Sequence, residues 1–318
     1  MYDKKLEERF SLKPLNLTEF GIAPAHFETV GHEARTQLVQ SNDFNVVYNK
    51  RNNKAVGCFK NDFKITPPQD GINAVESMLL ESDLDLTGIK RKMETGSNEA
   101  LLQVTWTLPS QTISVGDPEL NDICALQIKH KTSFNGTWAW QIGFNTLRLK
   151  CLNGMVGVEN VSLFKKKNTK SLDPESGKKH LITMVDAFKR QEDTWNGWLN
   201  EEVSDRTALA IFANAAGCKA PSEMEDPNID PSSVMNRSLK SSYPYQRMKS
   251  AYLDLEKKRL GSNLWAVFNV LTDWSTHAPV LPKHQNNVIS ITDRREKKVA
   301  QAIRGSAFLK LNQLLEAG

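Results

Sequence analysis

Cysteine is scarce in this chain of 318 residues, which has four: Cys58, Cys124, Cys151 and Cys218. They lie far apart, and none has the CxxC or Cys/His spacing of a zinc site, which excludes a zinc ribbon and a disulfide-stapled fold. We therefore expect buried, reduced thiols, as in a cytosolic protein.

Long apolar runs are also missing. No stretch approaches the roughly 20 apolar residues that a membrane helix requires. The first residues, MYDKKLEERF, lack the apolar segment of a signal peptide. These absences predict a soluble, cytoplasmic protein without a membrane partner.

The sequence lacks the usual catalytic motifs: a P-loop, GxGxxG after a strand, GxSxG and HExxH. His277 and His284 are separated by two prolines and do not have the arrangement of metal ligands. Glu225 and Asp226 stand in a segment rich in proline, where carboxylates are normally hydrated. We therefore predict a protein with no catalytic residue, cofactor or metal. An enzyme whose site assembles from distant residues, such as a nuclease, stays open as a third interpretation.

The stretch from Ile123 to Met155 contains two β-prone runs joined by Asn135-Gly136. Both turn residues tolerate the positive φ of a type I′ turn, so a hairpin is predicted. One face of the first run is apolar, and the other is polar and basic. The apolar face has Cys124, Leu126 and Ile128, and the polar face has Gln127, Lys129 and Lys131. After the turn, one face has Trp138, Trp140, Ile142 and Phe144, and the alternation continues to Arg148 and Lys150.

A second pair of strands is predicted upstream. The run Thr87–Thr95 can pair with Ala100–Leu108 across the turn Gly96-Ser97-Asn98. The middle of the chain is then an antiparallel meander of at least four strands, because neighbouring strands usually follow chain order. Its polar face would gather Lys90, Lys92, Gln103, Gln127, Lys129 and Lys131.

After Cys151 the apolar period changes from two to 3.6, which predicts helices. The fold class is thus α+β, with a central antiparallel sheet followed by a mostly helical C-terminal part. We expect an α+β domain over 1–175 and a helical region over 176–318, with an exposed acidic, proline-rich loop at 220–233. The expected helices are Gly71–Leu84, Gly177–Asn200, Ser204–Ala216, Gln246–Lys258, Asn263–His277 and Arg294–Leu315.

Positive charge is concentrated in one part of the chain. The net charge is +4. From Lys129 to Arg190 there are 12 Lys and Arg against 4 Asp and Glu, a local balance of +8, so the remainder sums to −4. The run Lys165-Lys166-Lys167 supplies part of this excess. Such a run is typical either of a solvated face or of a surface that binds a polyanion.

Two segments resemble a phage and plasmid family known as domain of unknown function 932. The first is FNTLRLKCLNGMV, where Arg148, Cys151 and Asn153-Gly154 match the family's pattern, and the downstream KKKNTKS matches loosely. The second is NLWAVFNVLTDWSTHAP, which is similar to a helical closing motif. Its matching positions are Trp265, Asn269, Thr272 and His277. The resemblance implies a mobile-element protein in a host cell, with a remote likeness to single-strand annealing recombinases. A structural interpretation stays open, in which Arg148 pairs with an acidic neighbour.

These observations lead to two hypotheses of different classes. The first is a non-catalytic protein of a phage or mobile element that binds and anneals single-stranded DNA in replication or recombination, as a homo-oligomer. The second is an interaction protein that docks on a host enzyme, a defence complex or a replication protein. For the first, the expected nucleic-acid-binding residues are Lys90, Lys92, Lys129, Lys131, Arg148, Lys150, Lys165, Lys166 and Lys167, with Trp138 and Trp140 as candidate stacking platforms.

Overall fold

A computed structural model of the chain describes residues 5–30, 36–117, 119–120, 122–149, 153–156, 164–166, 180–221 and 226–304. The chain forms two compact units. Unit 1 comprises 1–111, 126–144 and 161–186, and unit 2 comprises 112–125, 145–160 and 187–318. The units interleave along the chain, whereas the sequence predicted one boundary near residue 175.

The strands of the described part form two sheets. The strands are β1 (Phe20–Val30), β2 (Thr36–Asn49), β3 (Ala55–Lys60), β4 (Lys90–Gly96), β5 (Leu101–Val115), β6 (Asp122–Ser133), β7 (Trp140–Arg148), β8 (Asn153–Val156) and β9 (Phe164–Lys166). The first sheet has the order β1-β2-β3, and both of its pairings are antiparallel. The second has the order β4-β5-β6-β7-β8, with β9 also paired to β7. The predicted meander and the α+β class are confirmed.

The helical segments follow the second sheet, apart from two that precede it. They are α1 (Lys5–Phe10), α2 (Pro68–Leu80), α3 (His180–Asn200), α4 (Asp205–Ala215), α5 (Arg237–Ser241), α6 (Tyr243–Ser250), a π-helical turn (Ala251–Glu256), α7 (Lys257–Leu260), α8 (Leu264–His277), a 3-10 segment (Pro282–Asn287) and α9 (Val288–Arg304). No described helix has the length and apolar character needed to cross a membrane.

Helix boundaries follow local capping chemistry. The Ser204 side chain accepts a hydrogen bond from the Thr207 N–H, and Gly217 has a φ of +75°, so the predicted start and stop of α4 are confirmed. The final helix begins earlier than predicted, at Val288, and the residues after 304 lie outside the described part. Within the loop predicted at 220–233, residues 226–233 contain no helix or strand.

No strand was predicted within the first forty residues, yet β1 and the first five residues of β2 lie there. Their alternation is interrupted by Pro24 and by a shift in register between Pro24 and His26, so no period of two extends through the ribbon.

The hairpin of β6 and β7 is confirmed, but its predicted type I′ turn is wrong. Gly136 has a φ of +74°, whereas Asn135 is not in the positive-φ region, and the connection spans residues 134–139. Side-chain bonds close this longer loop: the Ser133 hydroxyl accepts from the Trp138 N–H and donates to the Trp138 carbonyl, both at 2.8 Å. Phe134, the first residue after β6, stacks on Phe20, with ring centroids 4.0 Å apart.

The predicted turn between β4 and β5 is confirmed and has an unusual backbone. Ser97, Asn98 and Glu99 have φ values of 51°, 57° and 65°, which is the left-handed region that non-glycine residues rarely adopt. The first sheet holds this turn: the Asn49 amide donates to the Asn98 carbonyl and to Glu99, and Arg51 pairs with Glu99 at 2.9 Å. A hydrogen bond from Thr18 contributes most to holding the pKa of Glu99 below its usual value.

A buried charge pair joins α2 to the second sheet within unit 1. Arg91 on β4 donates to Glu76 on α2 at 2.5 Å, and the Trp106 indole of β5 donates to the same carboxylate oxygen at 3.2 Å. Arg91 also bonds Glu7 and the Lys13 carbonyl, which fastens α1 to this site. Because Arg91 and Trp106 are cross-strand partners, one face of the sheet lies under α2.

His130 lies on the same α2-covered face and is fully buried. Its Nδ1 is 3.1 Å from the Gln141 carbonyl, and its ring centroid is 5.1 Å from that of Trp140. A Cβ added at Gly71 of α2 would lie 2.5 Å from His130 Nε2, so the helix approaches the imidazole at a glycine. Burial lowers the pKa of His130 to about 4, since the hydrogen bond to Gln141 offsets only part of the desolvation.

The core of unit 2 is built around α8. Leu264 to Thr272 are all buried, so this helix has no solvent face over two turns. Trp265 and Phe268 pack against Trp195 of α3 with ring centroids 5.2 and 5.9 Å apart, respectively. A helix that is apolar on all sides is stable in water only at the centre of a folded unit, which is where α8 lies.

The neutral state of His130 predicts a loss of stability in acid. In the unfolded chain, histidine has a pKa near 6.5, so the unfolded state binds a proton first as the pH falls. The free energy of unfolding therefore decreases by up to about 3 kcal/mol as the pH falls from about 6.5 to about 4. Urea unfolding of the wild-type protein at pH 7 and pH 4 measures this loss.

The His130→Gln variant should show a smaller loss over the same interval, and His26→Gln, at an exposed site, should retain the wild-type loss. If His130→Gln has the same pH dependence as the wild type, this histidine is not the acid-sensitive group.

Candidate nucleic-acid interface

The face of the second sheet opposite α2 is polar and bears lysines. Lys90 and Lys92 alternate with the buried Arg91 on β4, so their side chains project from the face of the sheet opposite α2. Their cross-strand partners on β5 are Thr107 and Thr105. The next strand joins the same face, because the Gln127 amide of β6 donates to the Thr107 hydroxyl at 2.9 Å. We call this surface of unit 1 the lysine face.

Exposure on the lysine face decreases from β4 toward β6. Lys90 is exposed, and the Lys92 side chain is 72% exposed and 2.9 Å from Glu94. On β6, Lys129 is half-buried and Lys131 is only 8% exposed, with its ammonium 5.6 Å from the centre of the Trp138 ring. The ammonium groups at the β4 edge are thus the accessible ones.

A further lysine enters from β9. Lys165 is exposed and is the cross-strand partner of Gln141. Gln141 alternates with Trp140, which contacts His130 on the α2 side, so Gln141 and Lys165 belong to the lysine face. Lys166 is described only as part of β9, and Lys150 and Lys167 lie outside the described residues.

The two candidate stacking residues lie inside unit 1, contrary to the sequence-based expectation of surface platforms. Trp138 is 6% exposed and Trp140 is fully buried. The position of Trp140 agrees with the alternation of β7, whereas Trp138 lies in the connection before this strand. Neither ring has a free face on which a base could stack in this structure.

Arg148 is also in the core, and this corrects its assignment to a phosphate contact. Its side chain is 1% exposed and forms two hydrogen bonds to Asp122, from Nε to Oδ1 at 2.5 Å and from Nη2 to Oδ2 at 2.7 Å. The indole of Trp265 donates to the same Oδ2 at 2.8 Å. We call Asp122, Arg148 and Trp265 the carboxylate centre of unit 2.

The carboxylate centre extends toward the surface of unit 2 through two charged residues. Glu256, at the end of the π-helical turn, lies 3.7 Å from Arg148 and pairs with Arg259 at 2.7 Å. Arg259 in turn lies 3.7 Å from Asp122. Two arginines thus face two carboxylates, so the group is electrically balanced and has no net positive charge to offer a polyanion.

The described residues contain no group of three His, Cys, Asp or Glu side chains placed to hold a metal ion. The buried histidine of unit 1 lies under α2 with its pKa far from neutral, whereas the accessible charges are flexible ammonium groups on a sheet face. Such groups neutralise anions without reacting with them.

A family model with the description Domain of unknown function (DUF932) matches residues 55–304. The match covers most of the chain. The protein belongs to this family. No curated protein and no solved structure gives a significant match. The family match begins at β3 and therefore leaves β1 and β2 outside it.

The two motifs that carried the resemblance meet at one carboxylate. Arg148 comes from the strand motif and Trp265 from the helical closing motif, and both donate to Asp122. Asn269 and Thr272 follow Trp265 at helical spacing and are buried, and the Asn269 amide donates to the Trp265 carbonyl at 2.7 Å. The motifs thus have a structural role here: they lock β7 and α8 around Asp122 within unit 2.

Sequence reasoning missed Asp122. The carboxylate is the first residue of β6 and stands just before the run that was assigned to the strand. The available signal was the position of Arg148 on the apolar side of its own strand, because a buried arginine requires a buried acid.

Replacing Asp122 by asparagine should destabilise the protein strongly. The change leaves the guanidinium of Arg148 buried without its bidentate partner, and breaking a buried pair in this way costs about 3–5 kcal/mol. Urea unfolding at pH 7 measures the loss. Asp193→Asn, at an exposed position of α3, is the matched control and should stay within about 0.5 kcal/mol of the wild type. Equal stability of the two variants would show that the pair does not hold unit 2.

Proposed function

We propose that this protein binds single-stranded DNA through the lysine face of unit 1 and acts without catalysis. The observation that supports the proposal is the shared side of Lys90, Lys92 and Lys165, which are exposed on the face opposite α2. Half-buried Lys129 lies on the β6 strand between them. The resemblance to proteins of phages and mobile elements supports a role in replication or recombination.

The spacing of the strands suits a chain of phosphates. β4 and β9 are separated by β5, β6 and β7, and four inter-strand spacings make about 19 Å. An extended single strand that crosses the sheet at this width can place several phosphates over the lysines in turn. Each phosphate that a lysine neutralises releases counterions, and this release drives the affinity.

The polar groups between the lysines would help to position the DNA backbone on the sheet. Thr105, Thr107 and Gln127 lie along the path, and hydroxyl and amide groups bind phosphate and sugar oxygens without reading the base sequence. Since Trp138 and Trp140 are buried, the proposal depends on charge and not on base stacking. It implies weak sequence preference, strong dependence on salt, and bases left available for pairing with a second strand.

Removing the accessible charges should weaken DNA binding. We expect the triple variant Lys90→Gln, Lys92→Gln and Lys165→Gln to bind an unstructured oligonucleotide at least about tenfold more weakly at 50 mM salt. The slope of log affinity against log salt should fall by about 2, since each lost phosphate contact on a single strand contributes about 0.7. Fluorescence anisotropy titrations at several salt concentrations measure both quantities.

The matched control is the triple variant Lys240→Gln, Lys258→Gln and Lys283→Gln, which removes the same total charge from exposed sites in unit 2. It should keep an affinity within about threefold of the wild type. The proposal fails if the wild type does not bind at low salt, if its affinity is independent of salt, or if both triple variants lose affinity equally.

A change of opposite sign tests the same face. Glu94 holds the Lys92 ammonium at 2.9 Å and accepts a hydrogen bond from Gln103 at 3.1 Å, so it competes with phosphate. Glu94→Gln should therefore tighten DNA binding at low salt, by about threefold, because it removes one repelling charge and releases one lysine. Titration at 50 mM salt measures the change. Unchanged or weaker binding would indicate that DNA does not pass over β4.

A further inference from the structure

Half of the β1–β2 ribbon has no other strand beside it among the described residues. Residues 26–30 of β1 pair with 36–40 of β2, from His26 opposite Gln40 to Val30 opposite Thr36. We call this part the arm. β3 pairs with β2 only from Phe44 to Tyr48, so the edge of β2 at 36–40 has no described neighbour.

A bulge separates the arm from the rest of the first sheet. Between the pairs Pro24–Asn45 and His26–Gln40, the single residue Ala25 lies opposite 41–44. The Ser41 hydroxyl accepts from the N–H groups of Asp43 and Phe44, both at 3.1 Å, which stabilises the extra residues. Bulges of this kind bend a strand and change its direction.

The arm exposes apolar side chains on both of its faces. Phe27 and Val39, which are cross-strand partners, are 49% and 45% exposed, and Leu38 is 69% exposed. The other arm residues with described burial, His26, Glu28 and Gln40, are exposed as well. A two-stranded ribbon with no buried face is marginally stable in water, and three or more strands are needed for independent stability.

We propose that the arm pairs with the arm of a second copy of this chain, along the edge at 36–40. A strand that pairs with its own copy about a two-fold axis is antiparallel to it, and its central residue faces the same residue of the partner. For 36–40 the central residue is Leu38 and no residue is charged. For the opposite edge, 26–30, the central residue is Glu28, which would face its own copy with like charge.

The pairing gives the apolar residues a common surface. A two-fold axis perpendicular to the joined sheet keeps corresponding faces on the same side, so two copies of the Phe27–Val39 pair lie on one face of the four strands, diagonally placed about the axis. The Leu38 side chains meet on the other face. The edge at 36–40 has no proline, lysine or acid that would prevent such pairing, whereas Pro24 stands on β1. The interface lies outside the family match at 55–304, and it is independent of the lysine face.

Sedimentation equilibrium of the full chain without nucleic acid, over a range of concentrations, tests the proposal. The wild type should form dimers, and Val39→Lys should raise the dimer dissociation constant by more than about tenfold, since it places two ammonium groups as diagonal neighbours on one face of the new strand pair. Because Val39 is half-exposed on a ribbon without a core, the variant should keep the wild-type circular dichroism melting curve. A second variant, Phe27→Glu, replaces the apolar residue of β1 that pairs with Val39, and it should have the same effect.

The matched control is Leu281→Lys, which places the same charge at an apolar residue of unit 2 that is 61% exposed and should leave the dimer unchanged. A wild type that is monomeric at every concentration overturns the proposal, and a different protein would then be the partner that pairs with the arm. A Val39→Lys dimer as stable as the wild type, or an equal loss in Leu281→Lys, overturns it too. None of these results depends on DNA binding by the lysine face.

Discussion

The buried ion pair between Asp122 and Arg148 is the constraint on which unit 2 depends. A guanidinium and a carboxylate removed from water are stable only when nearly all their hydrogen-bonding groups are satisfied. Two parallel bonds from the arginine and one from the Trp265 indole meet this requirement at Asp122. Because the three residues come from β6, β7 and α8, the strands and the central helix of unit 2 must form together.

Unit 1 uses the same combination of groups at a different place. Glu76 of α2 accepts from Arg91 on β4 and from the Trp106 indole on β5. In both units the arginine lies inside, where its planar fork matches a carboxylate. The accessible cations of the lysine face are lysines, whose compact ammonium groups stay hydrated. The basic residues thus have two roles: the buried arginines stabilise the two units, and the lysines of the lysine face are exposed to solvent.

Much of the architecture followed from local patterns. Alternation along β4 to β7 predicted the meander and its two faces, and the helical period predicted both ends of α4 to within one residue. The same alternation put Trp140 and Arg148 on the side of Ile142 and Phe144, yet counts of charge and aromatic residues assigned them to the surface. The structure agrees with the periodicity, because the face on which a side chain leaves a strand is determined by backbone geometry and not by residue type.

The sequence by itself determined the class of fold, the strand order of the meander and the separation of Lys90 and Lys92 from Arg91, since each depends on near neighbours in the chain. Tertiary structure decided which acid pairs with each buried arginine, because Asp122 lies 26 residues from Arg148 and 143 from Trp265. It also decided that β3 pairs with only part of β2. Contacts between distant segments depend on packing in three dimensions, which no periodicity within a short window records.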